Sequence, residues 1–311
     1  MDKNIRVNLG NSGLSVSPIC YGTWQLSPRF WGTQSEEEII SAIRYAFELG
    51  VNFYDTADAY GDGLAETVLG KALKIFPREQ IIVATKVYHH FYPDGHRYPD
   101  LSQKYIIEAC DASLHRLQMD YIDLYQCHAF DPITTIEETT EAMELLKKQG
   151  KIRVYGVSNF TTEQVRLARK FGNYATVQPH YDLLDTQIEN DLLPYCQTES
   201  LGVLIYSSLH RGLLTGKYKG TEKFNDLRTT DPDFQGERFR LLTEHVSNLA
   251  PLAEKYGLTI IQLVLTATLM HPAIHSAIVG IKNKKQIEEA AGAIGKSLNR
   301  EDYWQVRQIL F

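Results

Sequence analysis

Two stretches decide the fold: VNFYDTADAYG at 51–61 and IIVATKV at 81–87. Each opens as a short apolar run, the pattern of a strand buried on both faces. Each closes in polar residues that a strand tip would deliver into a pocket. Asp55, Tyr60 and Lys86 are those residues, and a phenol beside an ammonium and a carboxylate makes a proton-donating device. A free tyrosine, with a pKa of about 10, donates poorly at neutral pH. A cation within about 4–6 Å favours the phenolate and lowers that value, while a carboxylate holds the lysine charged and oriented.

Outward from this pair the chain repeats one rhythm. Upstream, residues 5–17 read as a hairpin around a Gly-Asn-Ser-Gly turn, followed by a strand at 18–24. Ser35 caps a helix over 35–50, with acidic residues in the first turn and a terminal glycine. Downstream, strands at 51–57, 78–87, 121–131, 151–160, 174–182, 202–209 and 273–281 alternate with helices at 64–76, 102–118, 135–150, 161–172, 188–200, 258–270 and 284–295. Segment 88–100 reads as a long loop, 210–257 as a long polar excursion and 299–311 as a last helix.

Eight strand–helix units with apolar strands predict an all-parallel sheet covered by helices. Two architectures compete. A doubly wound dinucleotide-binding sheet requires G-x-G-x-x-G after its first strand, and the sequence has none there. A closed (β/α)8 TIM barrel, one domain over 1–311 with an N-terminal β-hairpin, fits eight units better. Such a barrel carries its active site at the C-terminal ends of its strands. Gly22, Thr23, Trp24, Asp55, Lys86, His128, Ser158, Asn159, Gln178, Tyr206 and Gly280 all fall at such ends.

Bulk properties remove several classes. The 43% hydrophobic and 23% charged content is that of a globular protein with a sizeable core. A net charge of -6 with no long Lys/Arg run argues against a nucleic-acid surface. The most apolar stretch, LTIIQLVLTATLM at 258–270, is too short to span a bilayer, so no membrane partner is expected. The opening MDKNIRVNLG lacks the apolar segment of a signal peptide. Cys20, Cys110, Cys127 and Cys196 show no C-x-x-C spacing, which suits a reduced, cytoplasmic setting.

Other conspicuous residues have plainer readings. His89, His90 and His96 suggest a metal, but no carboxylate or thiolate shares their spacing, and a solvent-facing loop is the expectation. His271 and His275 are separated by the helix-breaking Pro272. Cys127 and His128 are adjacent in a strand and so point to opposite faces. Trp24, Trp31 and Tyr88 follow strands and are expected to wall a substrate pocket. Paired carboxylates for glycoside hydrolysis are absent from the strand tips.

At these motifs the chain resembles the aldo-keto reductases. GNSGLSVSPICYGTWQL is similar to that family's opening hairpin and first strand, and NFYDTADAYG to its most diagnostic segment. YIDLYQCHAFD, GVSNF, YSSLHRGLLTGKY and IVGIKNKKQIEEA follow in the expected order. The last but one places the chain near the bacterial branch with a G-L-x-T-G-K loop, which includes relatives of potassium-channel β-subunits and sugar- or aryl-aldehyde reductases. The resemblance implies reduction of an aldehyde or ketone with NADPH (NADP+ in reverse), NADH being the weaker option, and needs no metal. It makes Tyr60 the general acid, Lys86 paired with Asp55 its activator, and His128 the residue that orients the carbonyl.

The resemblance also implies the cofactor's contacts, and the residue chemistry suits them. Ser158, Asn159 and Gln178 offer amide and hydroxyl groups to a carboxamide, and Tyr206 a flat face to the nicotinamide ring. Gly22, Thr23 and Trp24 lie at the first strand tip, with Asp55 beside them. Ser207, Leu209, Gly212 and Lys217 wrap the pyrophosphate, Gly280 admits a close backbone approach, and Lys282, Gln286 and Glu289 face the adenosine end. Three positions depart from the pattern: Lys282 for Arg, predicting weaker NADPH preference; Ala290 for Asn; and Ser208 for Pro, predicting a looser loop. A redox-sensing regulatory subunit with incidental turnover and an unrelated barrel hydrolase are the alternatives. Tyr88, Tyr92, His96 and Arg97 suggest a polyhydroxylated or anionic substrate.

Overall fold

The computed structural model describes residues 5–92, 94 and 96–311; the first part of the opening stretch, at 1–4, lies outside the described residues. The strands in chain order are β1 (Val7–Asn8), β2 (Ser15–Val16), β3 (Ile19–Gly22), β4 (Phe53–Asp55), β5 (Ile82–Val87), β6 (His89–Phe91), β7 (Arg97–Pro99), β8 (Ile122–Cys127), β9 (Ile152–Ser158), β10 (Thr176–Gln178), β11 (Gly202–Ile205) and β12 (Ser276–Gly280). Eight of them, in the order β3-β4-β5-β8-β9-β10-β11-β12 and back to β3, close into an all-parallel barrel. The helices are α1 (Pro28–Trp31), α2 (Glu36–Glu48), α3 (Leu64–Leu73), α4 (Gln103–Leu117), α5 (Ile136–Lys148), α6 (Thr162–Phe171), α7 (Leu192–Thr198), α8 (Gly236–Ser247), α9 (Ala250–Lys255), α10 (Ile260–Leu269), α11 (Lys284–Ala291) and α12 (Arg300–Leu310).

The period of two along each strand sorts the side chains into two layers. Cys20, Phe53, Ile82, Ala84, Leu124, Leu204 and Ile278 fill the barrel interior, together with Leu9, Leu14 and Val16 of the β1–β2 hairpin. Their chain neighbours Tyr21, Tyr54, Val83 and Tyr125 belong to the outer layer between strands and helices. The hairpin therefore plugs the end where the strands begin, and Asn11 N–H donates to Ser200 O beside the start of β11. Helix α2 shows the outer half of the design. Ser35 Oγ accepts from the Glu38 N–H, and Ile39, Ala42, Ile43 and Ala46 form its buried stripe.

The same parity fixes what reaches the other end. Two residues beyond Phe53 is Asp55, two beyond Ala84 is Lys86, and Tyr206 follows Leu204 in the same way, so each continues the inward-facing row. Cys127 is out of phase with that row and packs in the outer layer, which bears out its structural reading.

Two segments differ from their sequence reading. The 88–100 loop contains the antiparallel pair β6–β7, in register His89↔Pro99 and Phe91↔Arg97. Two aromatic stacks on one histidine brace it, His90 lying 4.9 Å from Tyr98 and 4.4 Å from Tyr105 between ring centroids. The 210–257 excursion carries the helices α8 and α9: Phe239 packs with Phe234 of the same segment, while Val246 and Leu252 join Leu263 and Val264 of α10. No helix among the described residues is long and apolar enough to cross a membrane.

Candidate active site

Strand register brings the expected polar residues to one barrel end. Gly22 lies opposite Asp55, Lys86 opposite Gln126, and Gln178 opposite Ser158. Lys86, with no exposed side-chain surface, donates to Asp55 Oδ1 at 2.7 Å, to Thr56 O at 2.8 Å and to Tyr60 Oη at 3.3 Å. Asp55 Oδ2 accepts from Gln178 Nε2 at 2.8 Å. The carboxylate is thus pinned from both sides. Burial pulls Lys86 down, but Asp55 and Tyr60 outweigh it and hold the ammonium above its usual range.

The phenol behaves differently from the sequence expectation. Burial pushes Tyr60 up to about 12, while Lys86 pulls against that shift without reversing it. The lysine lowers the tyrosine relative to the same cavity without a cation, and the net position stays above the free value. Tyr60 is therefore a neutral O–H at physiological pH, which a proton donor must be. His128 lies edge-on to it, with ring centroids 5.8 Å apart. Burial, then Lys86, His89 and Arg97, push this imidazole well below its ordinary range, and its shielded Nδ1 has no partner among the described residues. It too is neutral, and able to donate one hydrogen bond without carrying a charge.

A cleft of about 520 Å³ opens from Tyr60. Gly22, Trp24, Trp31, Asp55, Tyr206, Ser207, Leu209, Gly212, Lys217, Gly280, Lys282, Gln286 and Glu289 all line it, as their sequence positions suggested. Thr23, Ser158, Asn159 and Gln178 are not among its lining residues and connect to them through hydrogen bonds. Thr23 donates through N–H and Oγ1 to Asp55 O, both at 3.0 Å. Ser158 Oγ donates to Gln178 O at 2.8 Å. Asn159, in the left-handed region at φ +57°, donates to His128 O at 2.8 Å and accepts from Tyr206 Oη at 2.7 Å. One side chain thereby ties the expected ring-stacking tyrosine to the histidine backbone. Tyr88 is not among the cleft's lining residues, and its hydroxyl turns to Phe130 O at 3.4 Å.

Three expectations need correction in detail. Ser208 does not loosen its loop: it is buried and donates to Ile278 O at 2.8 Å, a bond proline has no hydroxyl to make. Gly280 lines the cleft but gives room first to a protein side chain, since a Cβ there would lie 1.7 Å from Gln25 Nε2. The histidines of 88–100 do meet carboxylates, His90 Nδ1 lying 2.9 Å from Asp100 and His96 Nδ1 3.1 Å from Asp94. These are separate pairs, and no metal-holding group of three occurs among the described residues.

Sequence reading missed Gln25, Arg211, Thr215, Arg228 and Asn283, which also line the cleft. Arg228 comes from the excursion and lies 5.6 Å from the Trp31 ring, with Lys282 Nζ 5.3 Å from the same ring. Desolvation and then the Arg228 charge push both Lys217 and Lys282 below their usual range. Arg228 is itself forked onto Asp226, so Lys217 and Lys282 supply the excess positive charge at that end of the cleft, which suits an anion. No motif pointed to Arg228, because its partner surface is assembled only by the tertiary fold.

Comparisons with known proteins agree with this geometry. The sequence profile of the Aldo/keto reductase family matches residues 18–310. Aldo-keto reductase YhdN of Bacillus subtilis (strain 168) is 39% identical over 307 residues, covering 97% of this chain and 92% of the relative. The NADH-specific methylglyoxal reductase of Escherichia coli (strain K12) is 33% identical over 318 residues, covering 98% of each. The structure of the glycerol dehydrogenase AKR11B4 from Gluconobacter oxydans superposes with a TM-score of 0.91 at 32% identity, covering 100% of this chain and 96% of that one. With the barrel, the strand-tip tetrad and the match in hand, the chain belongs to the aldo/keto reductase family of nicotinamide-dependent oxidoreductases.

Proposed function

We propose that the protein reduces an aldehyde or ketone to an alcohol with NADPH, Tyr60 delivering the proton to the carbonyl oxygen. The observation that carries this is the position of Tyr60 Oη: 3.3 Å from Lys86 Nζ, at the head of a cleft whose other end collects Lys217, Arg228 and Lys282. The cofactor supplies the hydride; the chain's own residues supply placement and charge. As negative charge grows on the carbonyl oxygen, a neutral Tyr60 donates to it and the fixed Lys86 ammonium stabilises the phenolate left behind. Neutral His128 orients the same oxygen. Asp55, anchored by Gln178, keeps Lys86 charged and in place.

The residues fit NADPH at both ends. Tyr206 is held flat by Asn159 where the nicotinamide would stack, and the depressed lysines at the far end gain from a phosphate's charge. The excess positive charge of Lys217 and Lys282 supports NADPH over NADH, although the E. coli relative's name shows that the family includes the opposite preference. Trp24 and Trp31, packed edge-to-face at 5.4 Å, give an apolar wall suited to an aryl or sugar aldehyde. The four buried, unpaired cysteines support a reduced, cytoplasmic setting.

The test is loss of NADPH absorbance with a panel of aldehydes, sugars and ketones, run beside NADH and a Tyr60→Phe variant. Turnover should fall at least about a hundredfold in the variant while NADPH binding, followed by fluorescence, persists. Tight NADPH binding without turnover of any substrate would instead favour a redox-sensing regulatory role. Failure to bind either nicotinamide would remove the functional reading.

A further inference from the structure

A flat stacking surface serves hydride transfer only if it does not move. At Tyr206 the backbone is fixed by a parallel bridge with His180. The Tyr206 N–H donates to Pro179 O at 3.1 Å, and its carbonyl accepts from the Tyr181 N–H at 3.3 Å. The ring is a separate matter, because a tyrosine side chain still turns about two bonds. Its hydroxyl donates to Asn159 Oδ1 at 2.7 Å, and it packs against the barrel's interior row.

The further restraint is the ring of His180, which meets Tyr206 edge-to-face with centroids 5.3 Å apart and planes at 70°. The two side chains border different spaces. Tyr206 lines the cofactor cleft and His180 does not. His180 instead lines a second cavity of about 690 Å³, with Leu184, His210, Leu241 and Phe311, and Tyr206 is not part of that lining. His180 therefore backs Tyr206 on the side away from the cleft, and its truncation would open that side to the second cavity. The imidazole is held in turn. Its Nδ1 lies 3.2 Å from Asp185 Oδ2 and its Nε2 3.8 Å from Asp182 Oδ2. Asp182, with no exposed side-chain surface, also shapes the turn that carries Asp185: its Oδ1 accepts from the N–H groups of Leu184 and Asp185 at 2.8 and 3.1 Å.

We infer that His180 is a positioning residue for hydride transfer, acting through Tyr206: it fixes the face that Tyr206 presents to the cleft, and so the ring that stacks there. The inference rests on the reductase reading above, which stacks the nicotinamide on Tyr206. Its leverage comes from the geometry of the reaction, since a misplacement of about 1 Å costs about a hundredfold in rate. Affinity is a different quantity. It is set largely at the far end of the cleft, where Lys217 and Lys282 lie, so loosening Tyr206 should disturb placement and leave binding alone.

The test reads placement apart from affinity. In His180→Ala, kcat with NADPH should fall about ten- to a hundredfold, while the Kd of NADPH, measured by calorimetry, stays at its wild-type value. The kinetic isotope effect with NADPH deuterated at the transferred hydrogen should rise, because hydride transfer becomes rate-limiting. His180→Phe, which keeps a ring behind Tyr206, should recover most of kcat. Should His180→Ala fail to fold, Asp185→Asn takes its place with the same expected directions, since Asp185 is a 44% exposed side chain whose loss frees the imidazole. An unchanged kcat, an isotope effect that stays put while kcat falls, a weakened Kd that accounts for the loss, or no recovery in His180→Phe overturns the inference and leaves the reductase reading intact. If no carbonyl compound is reduced at all, the reductase reading fails separately. The fluorescence anisotropy decay of bound NADPH then decides: faster nicotinamide motion in His180→Ala upholds the inference, and an identical decay, or no NADPH binding by the wild type, overturns it.

Discussion

Lys86 is the residue on which the site turns. It has no exposed surface and three acceptors, and its one ion pair among the described residues is with Asp55 at 2.7 Å. Replacing it by Met removes the cation and leaves a buried carboxylate facing a thioether. A broken buried pair costs about 3–5 kcal/mol because the surviving charge stays desolvated. We therefore expect Lys86→Met to lower the urea midpoint substantially, and the double variant Lys86→Met/Asp55→Asn to recover a good part of that loss. Activity should stay low in both, since the phenolate left on Tyr60 has nothing to stabilise it. Recovery of neither stability nor cofactor binding in the double variant would mean that the pair is not the source of the cost. The sequence shows which residues form this device, because Asp55 and Lys86 end apolar strand runs and Tyr60 follows in the same diagnostic stretch. It does not show the balance between burial and charge. The position of Tyr60 at about 12 depends on how completely the surrounding strands exclude water, a property of the assembled barrel.

At the scale of one element, the loop after β11 decides how the cofactor cleft is held. His210, Arg211 and Gly212 all have positive φ, at +45°, +52° and +94°, so the loop is bent into a shape that its backbone alone does not favour. His210 anchors the bend: its Nδ1 lies 2.8 Å from Asp182 and its Nε2 2.9 Å from Asp233, with its side chain 5% exposed. Burial pulls this imidazole down, but the two carboxylates outweigh burial and the neighbouring Arg211, and raise it above its ordinary 6.5. A raised folded-state value sets the sign of the pH response. The stabilisation is fully present below about 6.5, the unfolded value, and is lost as pH rises through the folded value, when one nitrogen loses its proton and one carboxylate its donor. NADPH affinity, followed by fluorescence titration from pH 6 to 9, should therefore weaken with rising pH in the wild type, and His210→Asn should flatten that slope. An unchanged slope in the variant would assign the pH response elsewhere. The motif YSSLHRGLLTGKY marks this loop in the sequence, but not the anchor. Asp182 and Asp233 come from segments 28 and 23 residues away, and only the folded chain brings them onto one ring.

For the whole molecule, the eightfold alternation of strand and helix is legible because each unit repeats the same local signals: an apolar run, a capped amphipathic helix, a glycine. The excursion at 210–257 is not legible in the same way. Its helices α8 and α9 bury Val246 and Leu252 against partners supplied by other parts of the chain, and its polar composition hides that stripe. The barrel's two ends also have different standing. The end where strands finish tolerates unpaired polar groups and strained loops because chemistry is placed there, so the opposite end must supply closure. Leu9, fully buried with Leu14 and Val16, seals that end from the β1–β2 hairpin. Its truncation leaves a cavity that the surrounding strands cannot collapse to fill. Leu9→Ala should cost about 2–5 kcal/mol in denaturant unfolding. The kcat of the folded enzyme should stay close to wild type, since the hairpin seals the barrel end opposite the one that carries Asp55, Tyr60, Lys86 and His128. A cost below about 1 kcal/mol would mean that the barrel closes without its plug. A large fall in kcat at unchanged stability would mean that the two ends are coupled through the interior row of Phe53, Ile82, Ala84 and Leu124.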